Sequence, residues 1–191
     1  LPYSNLESNP FQTNVGTNIV RVWHYNHGTP SGSTVTIDGS QLDQDITGTI
    51  TTSSTSTTVT GTGTAFSTQL VVGSCLYDDN MTLIGQVASI ASNTSLTLTS
   101  NASEALTNYQ PNYINPINGI PASQIVGNHT IANVLHDSYT FATTTSATVS
   151  GYQGGLNWRA TKNVQFDTLN PTVNIQSFPQ CTTNFTAKTT R

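Results

Sequence analysis

Short runs in which apolar side chains alternate with polar ones dominate this chain, and the 3.6-residue spacing of a helix face is almost absent. Two such runs, Asn18–Trp23 and Ser33–Ile37, read as strands, the second closed by the turn pair Asp38-Gly39. The segment from His27 to Gly32 is dense in turn formers, which predicts a hairpin between the two. Further on, Ser74–Tyr77, Leu83–Ile90 and Leu96–Leu98 alternate in the same way, separated by turns at Asp78-Asp79-Asn80 and Ser92-Asn93. His129–Val134 and Ser138–Phe141 flank a turn at His136-Asp137, and Val164–Phe166 and Val173–Ile175 read as the final strands. Only Ala122–Val126 hints at a turn of helix.

The stretches between these runs set the expected domain plan. Residues 1–16 show no sustained period and read as an extended arm. Residues 49–64 form a Thr/Ser-rich, low-complexity stretch whose Ile50 and Val59 flank a polar turn, as two solvent-facing strands would. Residues 103–120, with two prolines and many asparagines, read as linker, and Gly151–Gly155 as a flexible loop. The expected fold is all-β: a sandwich-like or Greek-key domain from 17–46 plus 114–180, and a small inserted β-barrel-like module with its linker over 47–113. Beyond these lies a C-terminal arm over 181–191. Both arms carry too little periodic apolar content to fold on the domain, so they are expected to pack on other chains.

Composition narrows the function. Only 7% of residues are charged, against roughly a quarter in an ordinary soluble domain, while Ser and Thr fill 55 of 191 positions. Catalysis and ion pairing draw on residues this chain hardly has; Thr, being β-branched, suits a pleated surface. Val, Leu, Ile and Phe total about 22%, which predicts a thin core stabilised by neighbours, hence an oligomer or an embedded subunit. The five basic residues (Arg21, Arg159, Lys162, Lys188 and Arg191) are scattered and outnumbered by nine acids, which argues against nucleic acid as partner. No apolar run reaches membrane-spanning length. Cys75 and Cys181 read as two inert thiols rather than a bridge. Five glycosylation sequons match the number expected by chance in so Asn- and Thr-rich a chain.

Candidate chemistry is sparse. His24 and His27 with Asp38 would be metal ligands only if three-residue spacing placed both rings on one side, which suits a helix better than a strand; capping of a turn is the favoured reading. His136-Asp137 carries no information about a catalytic triad among twenty serines without a nucleophile elbow. Asp43, Asp45, Asp78 and Asp79 are the acidic clusters, and Asp78-Asp79-Asn80 reads as a turn rather than a glycosidase pair or calcium site. Trp23, Trp158 and the seven tyrosines (Tyr3, Tyr25, Tyr77, Tyr109, Tyr113, Tyr139 and Tyr152) are the features suited to sugar stacking. Core or interface packing is expected of Trp23 and Tyr139, exposure of Tyr109 and Tyr113, and no binding face stands out. No catalytic, metal or cofactor-binding residue is expected, and the protein is not read as an enzyme.

Several of these segments, in order, resemble a module of virion structural proteins of tailed bacteriophages, those of T4-like cyanophages most closely. The likeness is carried by Val20–Gly28, by Ser33–Gly39, by Asn118-Gly-Ile-Pro-Ala-Ser123, and by Asn128–Ile131 with Asp137–Phe141. It continues in Ala160–Asp167, Gln176–Pro179 and Phe185–Thr190. It covers roughly 17–45 and 115–190, so 47–112 looks like an insertion, itself similar to a small phage β module. The resemblance implies a structural role in the virion, in the tail or baseplate region, in a particle assembled in the host cytoplasm. Its partners would be other copies of the chain and neighbouring virion proteins. Parent chains of that kind are longer, and the start at Leu1 and stop at Arg191 fit a segment of one. A receptor- or carbohydrate-binding adhesin module, with a host-surface glycan as partner, is the alternative. The scaffold reading predicts that the excised chain cleaves no glycan and binds none tightly.

Overall fold

The computed structural model describes residues 3–40 and 44–161. Its strands, in chain order, are β1 (Tyr3–Asn5), β2 (Phe11–Thr13), β3 (Ile19–Trp23), β4 (Thr34–Asp38), β5 (Thr49–Thr51), β6 (Thr58–Thr62), β7 (Cys75–Tyr77), β8 (Leu83–Ser92), β9 (Ser95–Leu98), β10 (Asn112–Ile114), β11 (Gly127–Thr130), β12 (Ala132–Leu135), β13 (Ser138–Ala142), β14 (Gly151–Gln153) and β15 (Arg159–Thr161). A single helical turn, α1 (Phe66–Gln69), and a 3-10 turn at Ala122–Gln124 complete the described structure. The protein is all-β, as the alternation predicts.

Two antiparallel sheets, β1-β15-β4-β11 and β12-β13-β3-β2-β14, form a sandwich. Alternation decides which side chains meet between them: Val35 and Ile37 of β4 point in from one sheet, and Val20 and Val22 of β3, with Phe11, Tyr139 and Phe141, from the other. This arrangement overturns the expected hairpin of residues 18–23 with 33–37. β3 pairs with β2 and β13, and β4 with β15 and β11. Side by side in one sheet, both apolar faces would need some other element to cover them; in opposite sheets they bury each other. The predicted single strand over 129–134 is likewise divided. At the buried Ile131 the chain leaves the first sheet as β11 and enters the second as β12, fastened by Gly32 N–H to Ile131 O and Ile131 N–H to Ser33 O.

Residues 3–16 are no arm. β1 pairs with β15 and β2 with both β3 and β14. Phe11 is fully buried with its ring edge-on to Trp158 at 4.8 Å. Three-residue strands are too short to show a period, so the sequence carries no signal that Phe11 and Leu6 are core residues. Gly151–Gln153, expected as loop, is the edge strand β14. The following Gly154 sits at φ +123°, where a Cβ would come within 2.8 Å of Phe11 Cδ2. The proposed C-terminal arm, Cys181 and the strands expected at 164–166 and 173–175 lie outside the described residues.

Residues 46–114 build a six-stranded sheet, β10-β7-β8-β9-β6-β5, around a second core of Ile46, Ile50, Val59, Phe66, Leu70, Leu76, Ile84, Val87, Leu96, Leu98 and Ala102. Its two edges are drawn together: Ile50 and Tyr109 exchange both backbone hydrogen bonds, and Ile46 N–H reaches Pro111 O. Part of the expected linker thus stitches the curled sheet. The Thr/Ser-rich stretch becomes the hairpin β5–β6, whose Ile50, Val59 and Gly61 face inward. Gly61 leaves room for Phe66; a Cβ there would lie 2.9 Å from its Cζ. Entry and exit run side by side, with Asp45 bridged to Asn112 and Tyr113 N–H bonded to Gln44 O. β7 is buried on both faces, Leu76 in this core and Cys75 and Tyr77 in the sandwich core, so one strand serves as wall to both.

Candidate functional site

The end of β3 and the turn after it bring His24, His27, Tyr139 and Ser4 together, with both histidines nearly fully buried. His27 Nε2 lies 2.8 Å from Leu135 O, which only accepts, and Nδ1 receives Thr29 N–H at 3.0 Å. Its ring is therefore the neutral Nε2–H form, with no lone pair left for a metal. Ser4 Oγ donates to Ala160 O at 3.2 Å and lies 2.6 Å from His24 Nε2; Tyr139 Oη lies 3.1 Å from Nδ1. With Ser4's proton committed to a carbonyl, a neutral His24 donates from Nε2 and accepts from Tyr139. Burial pushes the Tyr139 phenol well above its usual range, which keeps that proton in place. This polarity runs opposite to that of a serine nucleophile and its base. The cluster ties β1, β3 and β13 together across the sandwich.

The acidic candidates are held in turns. Asp38 sits on β4 and accepts from Ser40 N–H and Ser40 Oγ, both at 2.8 Å; it forms no cluster with the histidines. Asp78 Oδ1 accepts Asn80 N–H at 2.9 Å and Thr82 N–H at 2.6 Å, and Asp79 N–H donates to Tyr109 Oη. Asp45 lies in the exposed bridge to Asn112, and Asp43 falls outside the described residues. His136 and Asp137 form an exposed pair at 2.7 Å. The Asp137 carboxyl is held below the usual range, first by Asn26 N–H and then by His136. No group of three His, Cys, Asp or Glu suited to a metal occurs among the described residues. Cys75 is a buried thiol that burial pushes up in pKa, the condition of an inert one.

The Asn118–Ser123 motif is architectural. Asn118 and Gly119 occupy the left-handed region at φ 49° and 86°, the conformation of a tight hairpin turn between the bridged Ile117 and Ile120. Asn118 Nδ2 donates to Thr13 Oγ1 and Gly151 O, and Asn118 O accepts Thr148 N–H. Next to the motif, Gln124 Oε1 accepts the Thr144 and Thr145 N–H groups, both at 2.9 Å. Asparagine has the same use elsewhere: of the seven non-glycine residues at positive φ among the described residues, six are Asn.

The aromatic residues divide between core and surface. Trp158, Tyr77 and Tyr139 are buried, while Tyr109 and Tyr113, expected in an exposed linker, pack against the barrel core. Trp23, expected as core or interface packing, faces away from the core on β3, its ring 6.3 Å from the exposed Tyr152. Gln12 lies between them on β2, accepting Trp23 Nε1–H at 3.3 Å. One row across the sheet reads Tyr152, Gln12, Arg21, Thr140, each opposite the next. Beside it is an open depression of about 350 Å³. Sequence reading missed this face because it depends on which strands are neighbours, which alternation leaves undetermined.

No family model, no curated protein and no solved structure matches this chain.

Proposed function

We propose that the chain is a structural component of a tailed-phage virion, in the tail or baseplate region, acting by subunit–subunit packing rather than by chemistry. The observation that supports it most is how the resembling segments fold. Residues 17–40 and 115–161, together with β1 and β2, assemble into a single sandwich; the intervening residues form a sheet with a core of its own, lend Cys75, Tyr77 and Ile114 to the sandwich core, and enter and leave at adjacent points. Asn118 of the Asn118–Ser123 motif, which carries much of the resemblance, is bonded to β2 and β14 at one edge of this sandwich. The buried histidines, Ser4 and Tyr139 are spent on internal hydrogen bonds, which favours a role without catalysis. Antibody raised against residues 46–112 should decorate purified particles at the tail or baseplate, with the chain present in fixed stoichiometry. Recovery of the chain from infected-cell lysate but never from purified particles would refute the reading.

A further inference from the structure

We propose that the outward face of the five-stranded sheet binds an anionic sugar, with Trp23 and Tyr152 as its stacking platform and Arg21 as the partner of the sugar carboxylate. The platform is built by register: Tyr152 stands opposite Gln12, Gln12 opposite Arg21, and Trp23 lies two residues along β3 from Arg21 on the same face. The two rings are tilted by 42° at 6.3 Å, and Tyr152 is 58% exposed. Flat apolar rings beside polar hydrogen-bonding groups suit a pyranose, whose C–H face stacks while its rim of hydroxyls needs donors and acceptors.

The inventory of those groups favours an acidic ligand. Gln12 Oε1 is engaged by Trp23, which leaves the Gln12 amide hydrogens as the donors this side chain can offer a ligand. Arg21 commits Nη1 to Ser138 Oγ at 2.9 Å, one of its five N–H donors. Asn133 Nδ2 donates to Thr140 Oγ1 at 3.2 Å and offers its carbonyl oxygen. Gln12, Asn14, Arg21 and Asn133, with Ile19, border the depression of about 350 Å³, and among the described residues Arg21 is the one charged side chain on it. A cation with no carboxylate pair among the described residues, in a chain of net charge −4, is complementary to an anion. From Ile19 to Trp23 the face runs about 13 Å at roughly 3.3 Å per residue, enough for a short oligosaccharide. Its exposed apolar content is the two rings, Ile19 and Leu135, which stands opposite Ser138 in the row of Trp23; four side chains are far fewer than the roughly 20–30 residues a side of a protein interface. The inference stands on this face alone and does not depend on where the chain sits in a particle.

The test uses the full chain titrated with trigalacturonate, followed by tryptophan fluorescence and by calorimetry, with cellotriose as the neutral sugar and hexaglutamate as the acidic peptide. Saturable trigalacturonate binding with Kd in the range of about 0.1–1 mM is expected, weakened at least tenfold by Tyr152→Ala and by Arg21→Gln. Arg21→Lys should retain part of the affinity, and Arg159→Gln, on the other sheet, all of it. Cellotriose should bind at least fivefold more weakly, and hexaglutamate should not compete. Absence of binding, equal affinity for cellotriose, competition by hexaglutamate, or indifference to Tyr152→Ala would each overturn the proposal. Tyr152 is exposed, so its variant remains informative even if Arg21→Gln impairs folding.

Discussion

Replacing Phe11 by alanine separates an N-terminal segment that is part of the sandwich from one that merely rests on neighbours. The side chain is fully buried, its ring packs edge-on against Trp158 at 4.8 Å, and Gly154 has no Cβ so that the ring fits. Truncating a buried Phe costs about 3–5 kcal/mol, including about 0.5–1.5 kcal/mol for the lost ring pair. In a domain of this size each kcal/mol shifts Tm by roughly 2–4 °C, so a fall of about 6–20 °C is expected. A surface substitution away from such packing stays within about 0.5 kcal/mol, or roughly 2 °C. The assay is thermal unfolding by near-ultraviolet circular dichroism, with Tyr152→Ala as the exposed aromatic control. Deleting residues 1–16 should go further and abolish cooperative unfolding, because β14 and β15 each lose a strand partner and Asn118 loses Thr13. A Phe11→Ala melt within 2 °C of the parent would refute this and restore the arm.

Four further outcomes follow from the same structure. Asn118→Ala removes two side-chain hydrogen bonds and a left-handed φ that alanine tolerates poorly, and should cost about 2–3 kcal/mol in denaturant titration. Gly61→Ala crowds Phe66 and Thr64 inside the barrel and should destabilise by about 1–3 kcal/mol, whereas Gly63→Ala, with open space around it, is strained only by its positive φ and should cost less. His129 stacks on Phe141 at 3.8 Å and donates to Ile125 O, and desolvation lowers its pKa below 6.5. The unfolded chain therefore binds the proton first, so stability is level above about pH 6.5 and declines as pH falls below it; His129→Gln should flatten that decline, and an unchanged slope would contradict the assignment. Excising 47–112 behind a short linker joins neighbouring points but strips Cys75 and Tyr77 from the sandwich core, so the remnant should melt below the parent and bind a hydrophobic dye.

The all-β character was legible in the sequence because Val20/Val22, Val35/Ile37 and Leu96/Leu98 alternate with polar residues, and the alternation marks the inward face directly. The turns at Asp38 and Asp78 were legible too, since carboxylates that accept nearby backbone N–H groups do so through local chemistry alone. Strand partnership was not. β3 and β4 are adjacent in sequence and lie in opposite sheets, while Phe11 meets Trp158 from the far end of the described chain. Such pairings are selected by the total apolar surface they bury, a sum that no local window contains. The outward face with Trp23 and Tyr152 shares that fate, because it exists only once β14, β2 and β3 are neighbours.

A chain with so few charges also answers how a mostly neutral surface can be specific. Among the described residues the one side-chain contact between a basic and an acidic residue is the exposed hydrogen bond of His136 with Asp137. Internal order comes instead from hydroxyls and amides: Thr13 to Val149 O, Thr52 to Glu104 O, Thr64 to Asn93 O, and Gln124 to two backbone amides. Bonds of this kind are short-ranged, directional and little screened by salt, so a fold built on them varies little with ionic strength. An isolated charge on such a surface has few neighbours to neutralise it. Among the described residues Arg21 stands across from Gln12 and near the Trp23–Tyr152 pair, and the anionic-sugar site proposed above rests on that placement.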